Sequence, residues 1–417
     1  MEVNRKKRNS GGKMRTINLN RLFRHTAPHR LMSLCLPLIA SCSEYSVPEP
    51  CAELPTRTVL VYLAADNNLG EIGRTPELLR QGWKDTGGKC LIYFDAPRGA
   101  PKLYALTGKH TGAFPTLETV EEYPEENSSS ADVFGRVLAD VVRKYPSQSY
   151  GLIFASHGSG WLPCGALSNP TRSIGDDLNP GTTGGAREME IADFAAAIPD
   201  HQFDFIIFEA CLMSGVEVAY ELRNKTDYLL ASSAELLVPG YAPVYPSSLQ
   251  YLFDTSLSVP QALEKFAGSY FDYINTRSGS YRSTTQSIIR TEEMEALATL
   301  AGEMPGDTGS GMDDDALGKL QHFDRPGSYG DTPARPRYFD FGEYRAHIAP
   351  EQQAEMDALL ERIVVWKAAT PEFMTGYNGF TIRTHSGLTT YIEQSDFPGL
   401  NAAYEKTAWW KATHVKR

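Results

Sequence analysis

Two apolar, β-prone runs in this chain each stop abruptly at a reactive side chain. Gly151–Trp161 reads GLIFASHGSGW and ends on His157, and Asp204–Glu217 reads DFIIFEACLMSGVE and ends on Cys211. They belong to a longer alternation. Strand patterns cover Thr58–Ala64, Leu91–Phe94, Lys102–Leu106, Tyr150–Ser156, Phe203–Phe208 and Tyr228–Ser232. Helical patterns cover Ser129–Lys144, Glu188–Ile198 and Leu212–Leu222. In Ser129–Lys144 the apolar residues Val133, Val137, Leu138, Val141 and Val142 keep the helical period behind a Ser/Asp cap region. Strand and helix in alternation predict an α/β fold with a mostly parallel sheet covered on both faces. The carboxyl ends of parallel strands open into a crevice, so an imidazole and a thiol carried to one rim make a nucleophile with its base.

The 417 residues are 41% hydrophobic and 11% aromatic, enough for a large core and one large or two ordinary domains. The first thirty-one residues hold nine Lys/Arg against one acid, so the remainder carries 31 basic and 50 acidic residues, a net charge of −19. Such a body repels nucleic acid and anionic membrane, and nucleic acid is excluded as a partner. Beyond about Pro260 the pattern loosens. Helices are expected near Gln261–Tyr273, Thr291–Glu303 and Glu351–Trp366, a strand pair at Thr381–Arg383 and Thr389–Ile392, and an aromatic closing segment at Tyr404–Ala412. Pro305–Arg335 is the candidate mobile insertion.

The amino terminus reads as an address. Its basic stretch precedes Leu31–Ala40 (LMSLCLPLIA), too short to span a bilayer and of signal-core length. The sequence Ile39-Ala40-Ser41-Cys42 resembles the bacterial lipobox, whose Cys is lipidated and becomes the first mature residue. The expected division is a lipoprotein signal over 1–41, a Pro-, Glu- and Ser-rich tether over 42–56, an α/β domain over 57–260 and a C-terminal extension over 261–417. Cys42 would anchor the chain to a bacterial envelope membrane, at the outer membrane or cell surface. Plain secretion with an incidental Cys42 is the alternative.

Of the other cysteines, Cys90 opens the run CLIYF as a small buried hydrophobe, and no pair has zinc-finger spacing. Bridges Cys51–Cys90 and Cys90–Cys164 are open in an oxidising compartment. Cys211 is placed for chemistry, between a strand and an expected helix whose amino terminus would favour thiolate. Gly158 and Gly160 bare the backbone beside His157, so a carbonyl can approach an N–H donor. Read singly, Cys211 could be a buried strand-end cysteine and His157 a turn histidine.

Four ordered motifs carry a resemblance: TVLVYLAADNNL at Thr58–Leu69, ASHGSGW at Ala155–Trp161, EACLMSGVEVAYEL at Glu209–Leu222 and ASSAELLVPG at Ala231–Gly240. They look like the clostripain family of cysteine endopeptidases, with a weaker echo in Tyr404–Thr413. The resemblance implies a caspase-like, gingipain-like three-layer sandwich with an α+β C-terminal extension. It implies His157 and Cys211 as a dyad, Gly158 and Cys211 as oxyanion donors, and polypeptide substrates with Arg or Lys at the cleaved bond. Where the family usually has Asp two residues before the nucleophile this chain has Glu209, and Ser214 stands where Gly is usual.

Glu209 leaves an extended strand on the same face as Cys211 and is expected to floor a cation pocket, slightly shallower than the family's. Pairing of Glu209 with an internal Arg or Lys is the alternative, with Glu235 as the next pocket acid. The family also suggests self-processing between His and Cys, at Arg172–Ser173 among turn formers or at Arg187. Asp176 and Asp177 could pair with Arg172 or ligate calcium, but two adjacent acids do not make a site, so neither metal nor organic cofactor is assigned. Competing readings are a catalytically silent surface-binding lipoprotein on the same fold and a legumain- or gingipain-like hydrolase of other specificity.

Overall fold

The computed structural model describes residues 53–108, 115–166, 174–178, 188–304, 312, 314–327 and 334–414. Cys42 and Cys51, the signal, the tether as far as residue 52, Arg172 with Ser173, and Arg187 lie outside these residues. Residues 53–414 fall within one compact unit built on a nine-stranded sheet.

Chain order gives β1 Thr58–Ala64, β2 Lys89–Asp95, β3 Lys102–Thr107, β4 Thr116–Glu122, β5 Tyr150–Ala155, β6 Phe203–Glu209, β7 Thr226–Ala231, β8 Thr285–Arg290 and β9 Val364–Ala369. Across the sheet they run β9-β8-β7-β6-β5-β1-β2-β3-β4. The five central strands, β7 to β2, are parallel, and antiparallel strands extend both edges. Burial explains the middle. TVLVYLA in β1 is buried at every position, as strands covered on both faces must be. The edge strand β4, TLETVEE, is charged and largely exposed, which blunts the edge against pairing with other chains.

Two cores fill the faces. On one side Tyr62, Phe134, Phe154, Phe194 and Phe208 pack with α2 (Ala131–Lys144), α3 (Ile191–Ala196) and α4 (Val216–Glu221). On the other, Val61, Ile153 and Ile207 pack against α1 (Thr75–Gly82) and the helix Val259–Asn275 through Leu79, Leu263 and Phe266. The result is the expected three-layer sandwich. Ser130 caps α2, its hydroxyl accepting from the Val133 amide at 3.3 Å. Cys90 is buried, and burial pushes its thiol far up, as for an inert core cysteine.

Strands from beyond residue 260 complete the sheet. β8 and β9 pair antiparallel at its far edge, so the expected peptidase and extension ranges share one sheet. The helix expected over Glu351–Trp366 ends at Ile363, and Val364–Ala369 continues as β9. The expected strand pair also differs. Phe380–Thr381 pairs with Glu372–Phe373, while Thr389–Thr390 pairs with Phe339–Asp340, because the chain turns at Gly387 (φ +99) and docks its Thr389 amide on Ser214 O at 3.0 Å.

The described part of the expected insertion Pro305–Arg335 includes the helix Asp314–Lys319 and the segment reaching Arg325. That segment is anchored: the Phe323 amide donates to Tyr338 O, and Asp324 accepts the Arg337 amide, each at 2.9 Å.

Candidate active site

β5 and β6 run parallel with Ala155 opposite Glu209, so two residues further on His157 and Cys211 leave neighbouring strands at the same level. Both line one cavity of about 220 Å³, together with Ser156, Glu209, Glu235 and Arg325. His157 is buried, and its Nε2 lies 2.7 Å from Asn68 Oδ1. An amide oxygen can only accept, so Nε2 carries the proton and Nδ1 is the basic nitrogen. Asn68 comes from the polar turn after β1, the strand beside β5. In the sequence that turn stands within the motif TVLVYLAADNNL, with no role given to its asparagines. Its signal was a polar Asn-Asn at the carboxyl end of a buried strand, but which strand flanks β5 is a matter of sheet order, which sequence pattern does not give.

The turn after Cys211 is tighter than expected. Leu212 is buried with φ +62, a left-handed conformation that a non-glycine residue adopts only when its surroundings force it. Here the Leu212 amide donates to Ala234 O at 3.0 Å, and that of Ser214 to Ser232 O at 3.1 Å. Consequently the helix expected from Leu212 starts only at Val216, after a Gly215 cap, and runs six residues. The expected helix-terminus field therefore does not act directly at Cys211. Instead the Leu236 amide donates to Cys211 Sγ at 3.4 Å, and Sγ lies 3.8 Å from Leu236 O.

The His and Cys loops are packed against each other through glycine. A Cβ on Gly158 would fall 2.8 Å from Cys211 O, and one on Gly160, at φ +63, 2.8 Å from Leu212 O. Ser214, where the family usually has Gly, extends this packing: its hydroxyl lies 2.7 Å from Ser233 Oγ, which lies 3.1 Å from His385 Nε2. Burial holds that imidazole neutral, its pKa lowered to about 3.

Glu209 is 6% exposed. It faces the cavity, but its partners are neutral: the Tyr245 hydroxyl at 2.5 Å and the Tyr241 amide at 2.7 Å. Burial pushes its carboxyl up to about 7, against the hydrogen bonds from Tyr245 and from the amides of Tyr241 and Ala242. Glu235 is the acid with an internal cation. Arg325 Nε and Nη2 reach its two oxygens at 2.8 and 3.0 Å.

Asp177 is buried and accepts from the Ser128 amide at 2.6 Å, while the Asp176 amide donates to Ser156 Oγ at 3.3 Å. Among the described residues no group of three His, Cys, Asp or Glu is arranged to hold a metal ion. Cys90 is a free thiol, so the Cys90–Cys164 bridge is not formed.

A caspase-like sheet carrying a histidine and a cysteine at adjacent strand ends defines a cysteine-peptidase class of site. The sequence pattern of the Clostripain family matches residues 61–355, and the chain belongs to that family. It is 30% identical to clostripain of Hathewaya histolytica over 216 residues, 44% of this chain but 40% of that protein, so it spans well under two thirds of that relative. An inactive zymogen C11 protease from Parabacteroides distasonis superposes with a TM-score of 0.73 at 28% identity, over 87% of this chain and 99% of that one. A secreted C11 cysteine protease from Bacteroides thetaiotaomicron, solved with an irreversible peptide inhibitor, gives 0.71 at 26%, with the same coverage.

Proposed function

We propose that this chain is a cysteine endopeptidase that cleaves polypeptides after Arg or Lys, and that Glu209 at the base of the cavity beside Cys211 sets that preference. His157 Nδ1 takes the thiol proton, and the thiolate attacks the scissile carbonyl. The Gly158 and Cys211 amides hold the oxyanion that develops. The C–N bond breaks as His157 returns its proton to the leaving amine, giving a thioacyl enzyme. Water then attacks the thioester with His157 again as base, and the acid product leaves with the thiol restored.

The observation that carries the proposal is a buried carboxylate whose partners among the described residues are the neutral Tyr245 hydroxyl and Tyr241 amide. Burial pushes the Glu209 carboxyl up to about 7, so the fold does not favour its charge. A guanidinium or ammonium entering beside it restores the ionised form, so the substrate supplies the charge that the fold withholds. In this reading the carboxylate does not oppose the Cys211 thiolate until a cation is present. Peptides differing only at the cleaved residue, assayed with wild type and Glu209→Gln, test it.

Self-processing at Arg172–Ser173 belongs to the same proposal. The next described residues are held against the catalytic loop: Ile174 bridges Gly158, and the Gly175 amide donates to His157 O at 3.0 Å. We also propose that Cys42 carries a lipid that ties the enzyme to the bacterial envelope. Among the described residues no helix is long and apolar enough to cross a membrane.

A further inference from the structure

The loop that carries His157 runs on through Gly158 and Gly160, and the carbonyls on either side of Gly158 are both held. The Gly175 amide donates to His157 O at 3.0 Å. Ser159 O accepts twice, from the Leu162 amide at 3.2 Å and from the Tyr338 hydroxyl at 2.6 Å. A trans peptide is planar and its N–H points opposite to its C=O, so the hold on His157 O sets the direction of the Gly158 N–H. Gly158 has no Cβ to restrict its backbone, and a hold on one side alone would leave the segment able to pivot there.

The hold on the other side comes from far along the chain. Tyr338 stands 179 residues from Ser159 and is 2% exposed. Its carbonyl accepts the Phe323 amide at 2.9 Å, and it leads directly into Phe339–Asp340, which pairs with Thr389–Thr390. Through the Thr389 amide that same strand pair reaches Ser214 O in the loop after Cys211. The imidazole and the nucleophile have supports of their own. Asn68 Oδ1 holds His157 Nε2, and the amides of Leu212 and Ser214 bond to Ala234 O and Ser232 O. Removing the Tyr338 hydroxyl therefore acts on the backbone between Gly158 and Gly160 and leaves those supports in place.

We infer that Tyr338 is a positioning residue: by holding Ser159 O, its hydroxyl keeps the Gly158 amide aimed at the oxygen of the scissile carbonyl as that oxygen becomes negative. It acts through the loop backbone. The inference rests on the peptidase reading above and on the oxyanion role given there to Gly158.

Tyr338→Phe tests it, because the ring stays and Ser159 O keeps its bond from Leu162, so the variant should unfold cooperatively as wild type does. On the peptide that wild type cleaves fastest, kcat should fall roughly tenfold with KM little changed, a part of what the outright loss of an oxyanion donor costs. Two reagents separate this from a general loosening of the site. With a peptide aldehyde of the same sequence, Cys211 Sγ bonds to the carbonyl carbon, the thiol proton passes to His157 and the former carbonyl oxygen takes the oxyanion position. Iodoacetamide is attacked at its methylene carbon, iodide leaves and no oxyanion forms. The inhibition constant of the aldehyde should rise by the factor by which kcat falls, and the rate of inactivation by iodoacetamide should stay as in wild type. Unchanged kcat or unchanged aldehyde inhibition would overturn the inference. So would an iodoacetamide rate that falls by the same factor, which would place the effect on the thiol or its base. Failure of the underlying reading shows without the variant, as no turnover by wild type or as turnover that survives in Cys211→Ala, and would end both. Should Tyr338→Phe not fold, Tyr338→Met removes the same hydroxyl with a side chain that adapts to the space, and the same comparisons decide.

Discussion

At the residue scale the account turns on which groups share a proton and which share a charge. Cys211→Ala and His157→Ala should each abolish peptide hydrolysis with the thermal unfolding midpoint little changed, since both side chains line a cavity. Asn68 is a positioning residue, holding the imidazole by Nε2. Asn68→Ala should lower kcat roughly tenfold or more. Asn68→Asp keeps the acceptor and adds a carboxylate, which stabilises imidazolium. The pH limb on which activity rises should therefore move to higher pH, read from a kcat/KM profile. For Glu209 the sign runs with ionisation: its carboxyl, pushed up to about 7, loses its proton as pH rises through that value, so cation binding strengthens. The ratio of kcat/KM for an Arg peptide to its neutral citrulline isostere should climb between about pH 6 and 8, and stay flat in Glu209→Gln. Asn68 shows where sequence reading stopped. His157 and Cys211 announce themselves by ending apolar runs, but a residue that acts through a neighbouring strand is visible only once the sheet order places β1 beside β5.

At the scale of elements, the two catalytic loops form one packed unit. Gly160 combines a left-handed φ with a carbonyl in the path of any Cβ. Gly160→Ala should destabilise the fold by about 1–3 kcal/mol, measured by urea denaturation, and depress kcat by displacing the turn at Leu212. Most strands were legible because their burial on both faces leaves unbroken apolar runs, as in β1. The charged edge strand β4 and the polar TQS of β8 were not, since strands at or near a sheet edge, held by partners, need no such run. Leu212–Leu222 carries a helical pattern, yet its first turn is unwound. Main-chain bonds from Leu212 and Ser214 to the 232–234 segment outweigh local propensity where the nucleophile must be presented. Likewise Val364–Ala369 follows a helix directly but is recruited as β9 by β8, a long-range pairing with no local signature.

At the scale of the whole molecule, the C-terminal region completes both the sheet and the cleft. It supplies β8 and β9 to one edge, and Arg325 to the cavity wall. The Glu235–Arg325 pair joins residues 90 apart, and nothing in ASSAELLVPG foretells it. Processing and anchoring also belong to this scale. Wild type should appear as two fragments divided at Arg172–Ser173, while Cys211→Ala stays whole, with amino-terminal sequencing to fix the cut. Cys42→Ser should shift the protein from the membrane to the soluble fraction and lose labelling by a fatty-acid analogue, without loss of peptidase activity.

The central claim is an acidic pocket beside a cysteine nucleophile, and one assay addresses it directly. Fluorogenic peptides ending in Arg, Lys, Asn or Asp should be incubated with wild type and with Glu209→Gln, using Cys211→Ala as the blank. The account predicts turnover of the Arg and Lys peptides alone, and a loss of roughly a hundredfold in kcat/KM for both in Glu209→Gln, the scale of removing one partner from a buried charged pair. Preferred cleavage after Asn or Asp, or undiminished cleavage after Arg by Glu209→Gln, would contradict it.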